Sequence, residues 1–152
     1  MIEILNLKKS FNGKKVLDGI NLKINKGETI VIIGRSGCGK SVLLKHIVGL
    51  LNPDEGIVKV EDKIVNQLKE KELYELRKKF GFLFQGSALF DSMTVGENVA
   101  LSLIESETQY SEGELLKLVK EKLSLVGLEN IEKLKPSELS GWMKKRVALA
   151  RA

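Results

Sequence analysis

Cysteine, proline and histidine are all scarce in this sequence, and each scarcity excludes something. One cysteine, Cys38, leaves no partner for an internal disulfide and suits a reducing compartment, the cytoplasm. The two prolines, Pro53 and Pro136, fall where helical patterns stop. The single histidine, His46, sits in a helical stretch and reads as a surface or packing residue. No apolar run approaches the length needed to cross a bilayer. Met1-Ile2-Glu3-Ile4 is not followed by the basic and then apolar pattern of a signal peptide. There is no internal repeat, low-complexity tract or linker. Charge is not concentrated either. The net +5 is spread over Lys8-Lys9, Lys14-Lys15, Arg77-Lys78-Lys79 and Lys144-Lys145-Arg146, which read as solvated faces and give no reason to expect a nucleic-acid partner. With 43% hydrophobic and 30% charged residues over 152 positions, the chain is long enough for one soluble domain with a real core.

What is present is a phosphate-binding pattern. Gly34-Arg35-Ser36-Gly37-Cys38-Gly39-Lys40-Ser41 has the spacing of a P-loop: glycine, four residues, then Gly-Lys-Ser. Upstream, Thr29-Ile30-Val31-Ile32-Ile33 reads as a buried parallel strand. Downstream, the run from Val42 to Val48 reads as a helix extending to about Leu51 before Asn52-Pro53. Glycines let successive N–H groups turn inward on an anion, and the new helix adds its positive end. Lys40 is expected to reach the β- and γ-phosphates of a nucleotide, and Ser41 to offer its hydroxyl to Mg²⁺. Cys38, inside the loop, is either a small filler or a thiol whose modification would block binding.

The rest of the chain divides into a β-rich part, residues 1–90, and a helical part, residues 91–152. Asn12-Gly13 marks a hairpin turn and Lys26-Gly27 a second turn. Ile57-Val58-Lys59-Val60 and Ile64-Val65 form a short hairpin pattern, residues 70–79 a polar helix, and Phe80-Gly81-Phe82-Leu83-Phe84 another apolar strand ending at Gln85-Gly86. Ser111-Glu112-Gly113-Glu114 is a capping box that opens a helix bearing Leu115, Leu118, Val119, Lys122, Leu123 and Val126 on one face, with Gly127 as its C-cap. Ser140 reads as the N-cap of a final helix through Met143, Val147 and Ala150.

Four features join the P-loop in a fixed order. They are Phe11 before the hairpin turn, Gln85 after the 80–84 run, Leu139-Ser140-Gly141, and the ending Val147-Ala148-Leu149-Ala150-Arg151-Ala152. Together they resemble the ATP-binding domain of ABC transporters over essentially all residues present. The resemblance implies an α/β P-loop NTPase fold, with an N-terminal antiparallel β-subdomain, a RecA-like core sheet and a helical subdomain. It implies ATP and Mg²⁺ as ligands. Phe11 would stack on adenine, residues 34–42 (Gly34 through Val42) would hold the phosphates, and Ser41 and Gln85 would meet Mg²⁺ or the attacking water. Ser140 and Gly141 would contact the nucleotide of a second subunit, so two copies would form a nucleotide sandwich.

A narrower resemblance runs from Phe84 to Val99 and through the Val-Leu-Leu-Lys that follows Ser41. It is to the ATPases of phospholipid-transport and organic-solvent-tolerance ABC systems. That resemblance implies a membrane permease gripped by the segment 88–99, from Ala88 to Val99, and a place on the inner face of the cell membrane. Ala88-Leu89-Phe90 would be an exposed apolar contact or would pack a junction within the domain. A soluble ABC-type ATPase acting on ribosome or DNA is the alternative, and the absence of a second ATPase unit or long insert speaks against it.

Two departures from the family pattern stand out. Trp142 occupies the place of the second signature glycine, where its ring either points away or covers the trans phosphate; weakened ATP-driven pairing is the expectation. The strand with the Mg²⁺-linked aspartate and catalytic glutamate, and the loop with the catalytic histidine, have no counterpart in these 152 residues. The chain is therefore read as a domain truncated after its signature helix, with ATP binding at best and negligible hydrolysis. Its core sheet is expected to be incomplete, with unpaired edges that make the chain prone to aggregate.

Overall fold

The computed structural model describes residues 1–105 and 108–152. Their Cα packing forms two compact units, Met1–Phe80 and Gly81–Ala152; the change of sequence character lies near Phe90.

The first unit is built on a four-stranded antiparallel sheet. Strands β1 (Ile2–Phe11) and β2 (Lys14–Ile24) form a hairpin, and β3 (Glu55–Val60) and β4 (Lys63–Ile64) continue the sheet in the order β2-β1-β3-β4. The Asn12-Gly13 turn has φ of 49° and 77° at its two residues, the left-handed pair that lets a two-residue loop follow the strand twist. Helix α1 (Lys40–Ile47) and helix α2 (Glu70–Arg77) complete this unit. Ile4, Leu7, Leu17, Leu43, Ile47, Val58, Val60, Val65 and Leu76 form its core.

Helix α1 is shorter than the sequence suggests. Gly49, at φ 65°, ends it: Gly49 N–H donates to His46 O at 3.1 Å and Leu50 N–H to Lys45 O at 2.8 Å. This left-handed cap stops the helix before Asn52-Pro53 can. Arg77 then donates to Val48 O and Gly49 O at 3.0 and 2.8 Å, satisfying two carbonyls of that exit.

The two segments expected to be core strands correct the sequence reading more sharply. Neither residues 29–33 nor residues 80–84 have a ladder partner among the described residues. Val31 and Ile33 are 76% and 90% exposed, the opposite of a buried strand. An apolar β-branched run fixes a preference for extended backbone, but burial and hydrogen bonding come from neighbouring strands. Smaller differences follow from local hydrogen bonds: Val65 begins a 3-10 turn (Val65–Gln67) instead of extending β4, and α2 ends at Arg77, not at residue 79.

The second unit is helical. It contains α3 (Val95–Ile104), α4 (Glu112–Leu125) and α5 (Gly141–Arg151). Val95, Val99, Val119, Leu123, Leu139, Val147 and Ala150 meet in its core. Helix α4 starts at the expected capping box, with Ser111 Oγ accepting from Glu114 N–H. It ends at Gly127, φ 69°, where Leu128 N–H donates to Leu123 O at 3.0 Å. Thr94 and Glu97 form a second capping box at α3.

Candidate nucleotide-binding site

The P-loop runs directly into α1, whose first helical residue is Lys40. Two backbone positions make this possible. Gly37 has φ 76° and Gly39 φ 99°. At Gly39 a Cβ would stand 2.9 Å from the carbonyl oxygen of Val16 and 3.0 Å from Leu17 Cδ2, so the loop exit is pressed onto β2 and only glycine fits. No side chain caps the start of α1, and its first turn holds no acidic residue. The opening N–H groups and the positive helix end therefore have no side-chain anion of the helix's own start.

Lys40 folds back across the loop. Its Nζ donates to Gly34 O and Arg35 O, both at 2.7 Å. Those two bonds hold the ammonium within the loop, where it adds a full charge to the helix-end field. Cys38 Sγ lies 3.7 Å from the same Nζ. A Cβ on Gly34 would be 2.7 Å from that sulfur, so Cys38 fills the space beside Gly34. Residues 34–38 and Ser41 are exposed, and Val42 is half-buried beside the core.

This donor set fits a nucleotide polyphosphate: backbone N–H groups, one ammonium and one hydroxyl, with no carboxylate to repel it. It also fits Mg²⁺ arriving with such a substrate. No group of three or more His, Cys, Asp or Glu side chains that could hold a metal occurs among the described residues. Mg²⁺ is commonly held by one or two protein oxygens together with substrate phosphates and water.

Phe11 ends β1 and is 41% exposed. Lys9 Nζ stands 5.5 Å from its ring centroid and donates to Asp54 Oδ1 at 2.7 Å. The hydrogen bond from Lys9, then that from the Ser10 N–H, holds the Asp54 carboxyl below its ordinary value. The ring thus has a fixed cationic neighbour and an open surface. His46 is buried, as a packing residue would be, with Nδ1 donating to Val42 O at 2.7 Å.

The remaining sequence-selected residues belong to the second unit. Gln85 is exposed in a turn. After Gly86, Ser87 and Ala88 adopt φ of 63° and 48°, a left-handed pair of non-glycine residues. Arg151 anchors that pair: Nη1 donates to Ala88 O at 2.7 Å and Nη2 to Ser87 O at 3.0 Å. Burial lowers the Arg151 guanidinium below its ordinary value, yet arginine stays charged in proteins. Asn98, fully buried, holds the next stretch by accepting from Phe90 N–H at 2.8 Å and donating to Phe90 O and Thr94 O at 3.1 and 2.9 Å. Within 88–99, Phe90 is 53% exposed and Leu89 packs against the core of this unit.

Sequence reasoning missed Arg151 and Asn98 as organisers of this segment. The carbonyls that Arg151 binds lie 63 and 64 residues earlier, and the groups that Asn98 binds lie in irregular backbone four to eight residues before it, so no periodic pattern reveals either. Thr94-x-x-Glu97 was a legible signal of the adjoining helix start.

Ser140 caps α5, accepting from Met143 N–H at 3.4 Å. Ser140 and Gly141 are exposed, and a Cβ at Gly141 would meet nothing within 4 Å. Trp142 lies on the flank of α5, with the Arg146 guanidinium 4.9 Å from its ring centroid. Arg146 Nη1 also donates to Val126 O at the end of α4, at 2.8 Å.

Comparison with known proteins agrees with this layout. The family model described as "ABC transporter" matches residues 17–152. The probable ribonucleotide transport ATP-binding protein mkl of Mycobacterium leprae is 46% identical over 151 residues, 99% of this chain and 43% of its own length. The intermembrane phospholipid transport system ATP-binding protein MlaF of Haemophilus influenzae is 41% identical over 152 residues, 100% of this chain and 57% of its own length. The chain thus spans about half the length of these curated relatives. The dimeric post-hydrolysis structure of the ATP-binding cassette MJ0796, bound to ADP and Pi, superposes with a TM-score of 0.92 at 37% identity. That match covers 99% of this chain and 68% of the other.

Proposed function

Because the chain belongs to the ABC transporter family, we propose that it is the ATP-binding subunit of a transporter, taking MgATP at the P-loop and pairing with a second copy. The observation that carries this reading is the junction of loop and helix. Gly39 is fitted against β2, the start of α1 is uncapped, and Lys40 is held at the loop. In the cis half-site Gly34 through Val42 hold the phosphates, Ser41 meets Mg²⁺, and Phe11 stacks on the base. Gln85 is the water- or metal-positioning residue, and Ser140 with Gly141 serves the nucleotide of the second copy. Binding of MgATP is the activity proposed for these 152 residues.

Phospholipid or a related lipid is the proposed cargo class, with the segment 88–99 gripping a membrane permease at the inner face of the membrane. The likeness to MlaF and the half-exposed Phe90 support this reading. The relatives' own names give different cargoes, ribonucleotide for mkl and phospholipid for MlaF. No helix among the described residues is long and apolar enough to cross a membrane.

Equilibrium titration with MgATP tests the binding role. The chain should bind, and Lys40→Ala should reduce affinity at least tenfold. Equal binding by both proteins would remove the P-loop from the site. Co-purification of a permease, lost when Phe90 is changed to aspartate, tests the transporter role.

A further inference from the structure

We propose that Trp142, clamped by Arg146, is a preformed anchor for the nucleotide-loaded face of a second copy of this chain. The inference rests on the paired-subunit reading above and goes beyond it, since the family pattern places glycine there.

Three observations carry it. The first is that the ring is both exposed and fixed. Trp142 is 56% exposed, yet one partner, Arg146, lies 4.9 Å from the ring centroid and is itself tied to Val126 O at 2.8 Å. Gly127 makes room for that tie, because a Cβ there would come within 2.8 Å of Arg146 Nη1. An aromatic side chain already held in one place loses little freedom on binding, and such residues are where interfaces concentrate their energy. The second is position: the ring stands on the residue next to Ser140 and Gly141, both exposed, and its neighbour Arg146 lies one turn further along α5. A partner surface that reaches the signature residues therefore meets the ring as well.

The third is charge. The first turn of α5 has no acidic residue, and Lys144, Lys145 and Arg146 follow at once. With the helix N-terminus, this is a cationic surface with an aromatic at its centre. A polyphosphate presented by another copy matches it in sign. A free P-loop, carrying its own Lys40, does not. The anchor should therefore act only when the opposing copy is loaded.

Sedimentation velocity of the parent chain, Trp142→Ala, Trp142→Phe and Arg146→Gln, each with MgATP, tests this. MgATP affinity is measured in parallel on dilute, monomeric samples. The parent is expected to pair with MgATP. Trp142→Ala should weaken pairing about tenfold or more, Trp142→Phe no more than about threefold, and Arg146→Gln by an intermediate amount. Affinity of the monomer for MgATP should change less than about twofold in all. Circular dichroism confirms folding, and Trp142→Phe against Arg146→Gln decides the matter if the alanine variant misfolds. Trp142→Ala pairing as tightly as the parent, or more tightly, overturns the anchor and leaves the paired reading intact. A parent that binds MgATP but stays monomeric overturns the paired reading and the anchor with it.

Discussion

Replacing Gly39 by alanine should damage the P-loop by two separable mechanisms, and Gly37→Ala isolates one of them. Both glycines have positive φ, 99° and 76°. Placing an L-residue in the left-handed region costs roughly 1–2 kcal/mol. At Gly37 nothing lies within 4 Å of the added Cβ, so that conformational cost is the whole effect. At Gly39 the same methyl meets Val16 O at 2.9 Å, Val16 Cγ1 at 3.0 Å and Leu17 Cδ2 at 3.0 Å. Leu17 is paired with Lys9 of β1, so this backbone cannot retreat without disturbing the central hairpin. Overpacking of that kind adds about 1–3 kcal/mol. Gly39→Ala should therefore lose about 2–5 kcal/mol and Gly37→Ala about 1–2 kcal/mol. Urea unfolding of both variants beside the parent gives the difference directly, and MgATP titration of the folded fraction gives its functional consequence. Equal losses in the two variants would refute the claim that the loop exit is set by contact with β2.

The other expectations can be checked on the same protein. Phe11→Ala should weaken MgATP binding by about 1–3 kcal/mol while Phe11→Tyr keeps it, measured by equilibrium titration, because stacking needs only a flat ring. Asn98→Ala should cost roughly 2–4 kcal/mol in urea unfolding. Phe90 O keeps Met93 N–H and Thr94 O keeps Asn98's own N–H, but Met93 O loses its Asn98 donor and Phe90 N–H loses its acceptor. Acid should loosen the second unit at its helix starts. Glu97 is held below its ordinary 4.5 by the Thr94 backbone N–H and then by Thr94's side chain, and Glu114 by the Ser111 hydroxyl and then its N–H. These depressed values mean the stabilisation is complete above pH 4.5 and fades as pH falls through the lower folded values. Glu97→Gln should remove that part of the acid dependence in a pH series of thermal melts.

How much of this was legible depended on how far apart the interacting groups lie in the sequence. Asn12-Gly13, Ser111-x-x-Glu114, Gly127 and Ser140 each form contacts within a few residues of themselves, and each appears where the pattern put it. The P-loop belongs with them, since its strain, its helix start and Lys40's return to Gly34 O all fall within seven residues. The strand expected at 29–33 is the opposite case. Its composition encodes only a preference for extended backbone and for cover, and both are realised by partners elsewhere in a sheet. With none among the described residues, the same apolar side chains that suggested burial leave Val31 and Ile33 largely in solvent. Arg151 fails the local test for the same reason, with partners 63 and 64 residues away, whereas Asn98 binds groups only four to eight residues before it, in irregular backbone that carries no pattern. Trp142 is the instructive intermediate. The sequence marks it as a departure and leaves two orientations open. The ring's neighbour is Arg146, one helical turn away, which is itself fixed by a carbonyl twenty residues earlier. Both the exposure of the ring and the tether on its neighbour come from the fold, and neither can be read from the residue type alone.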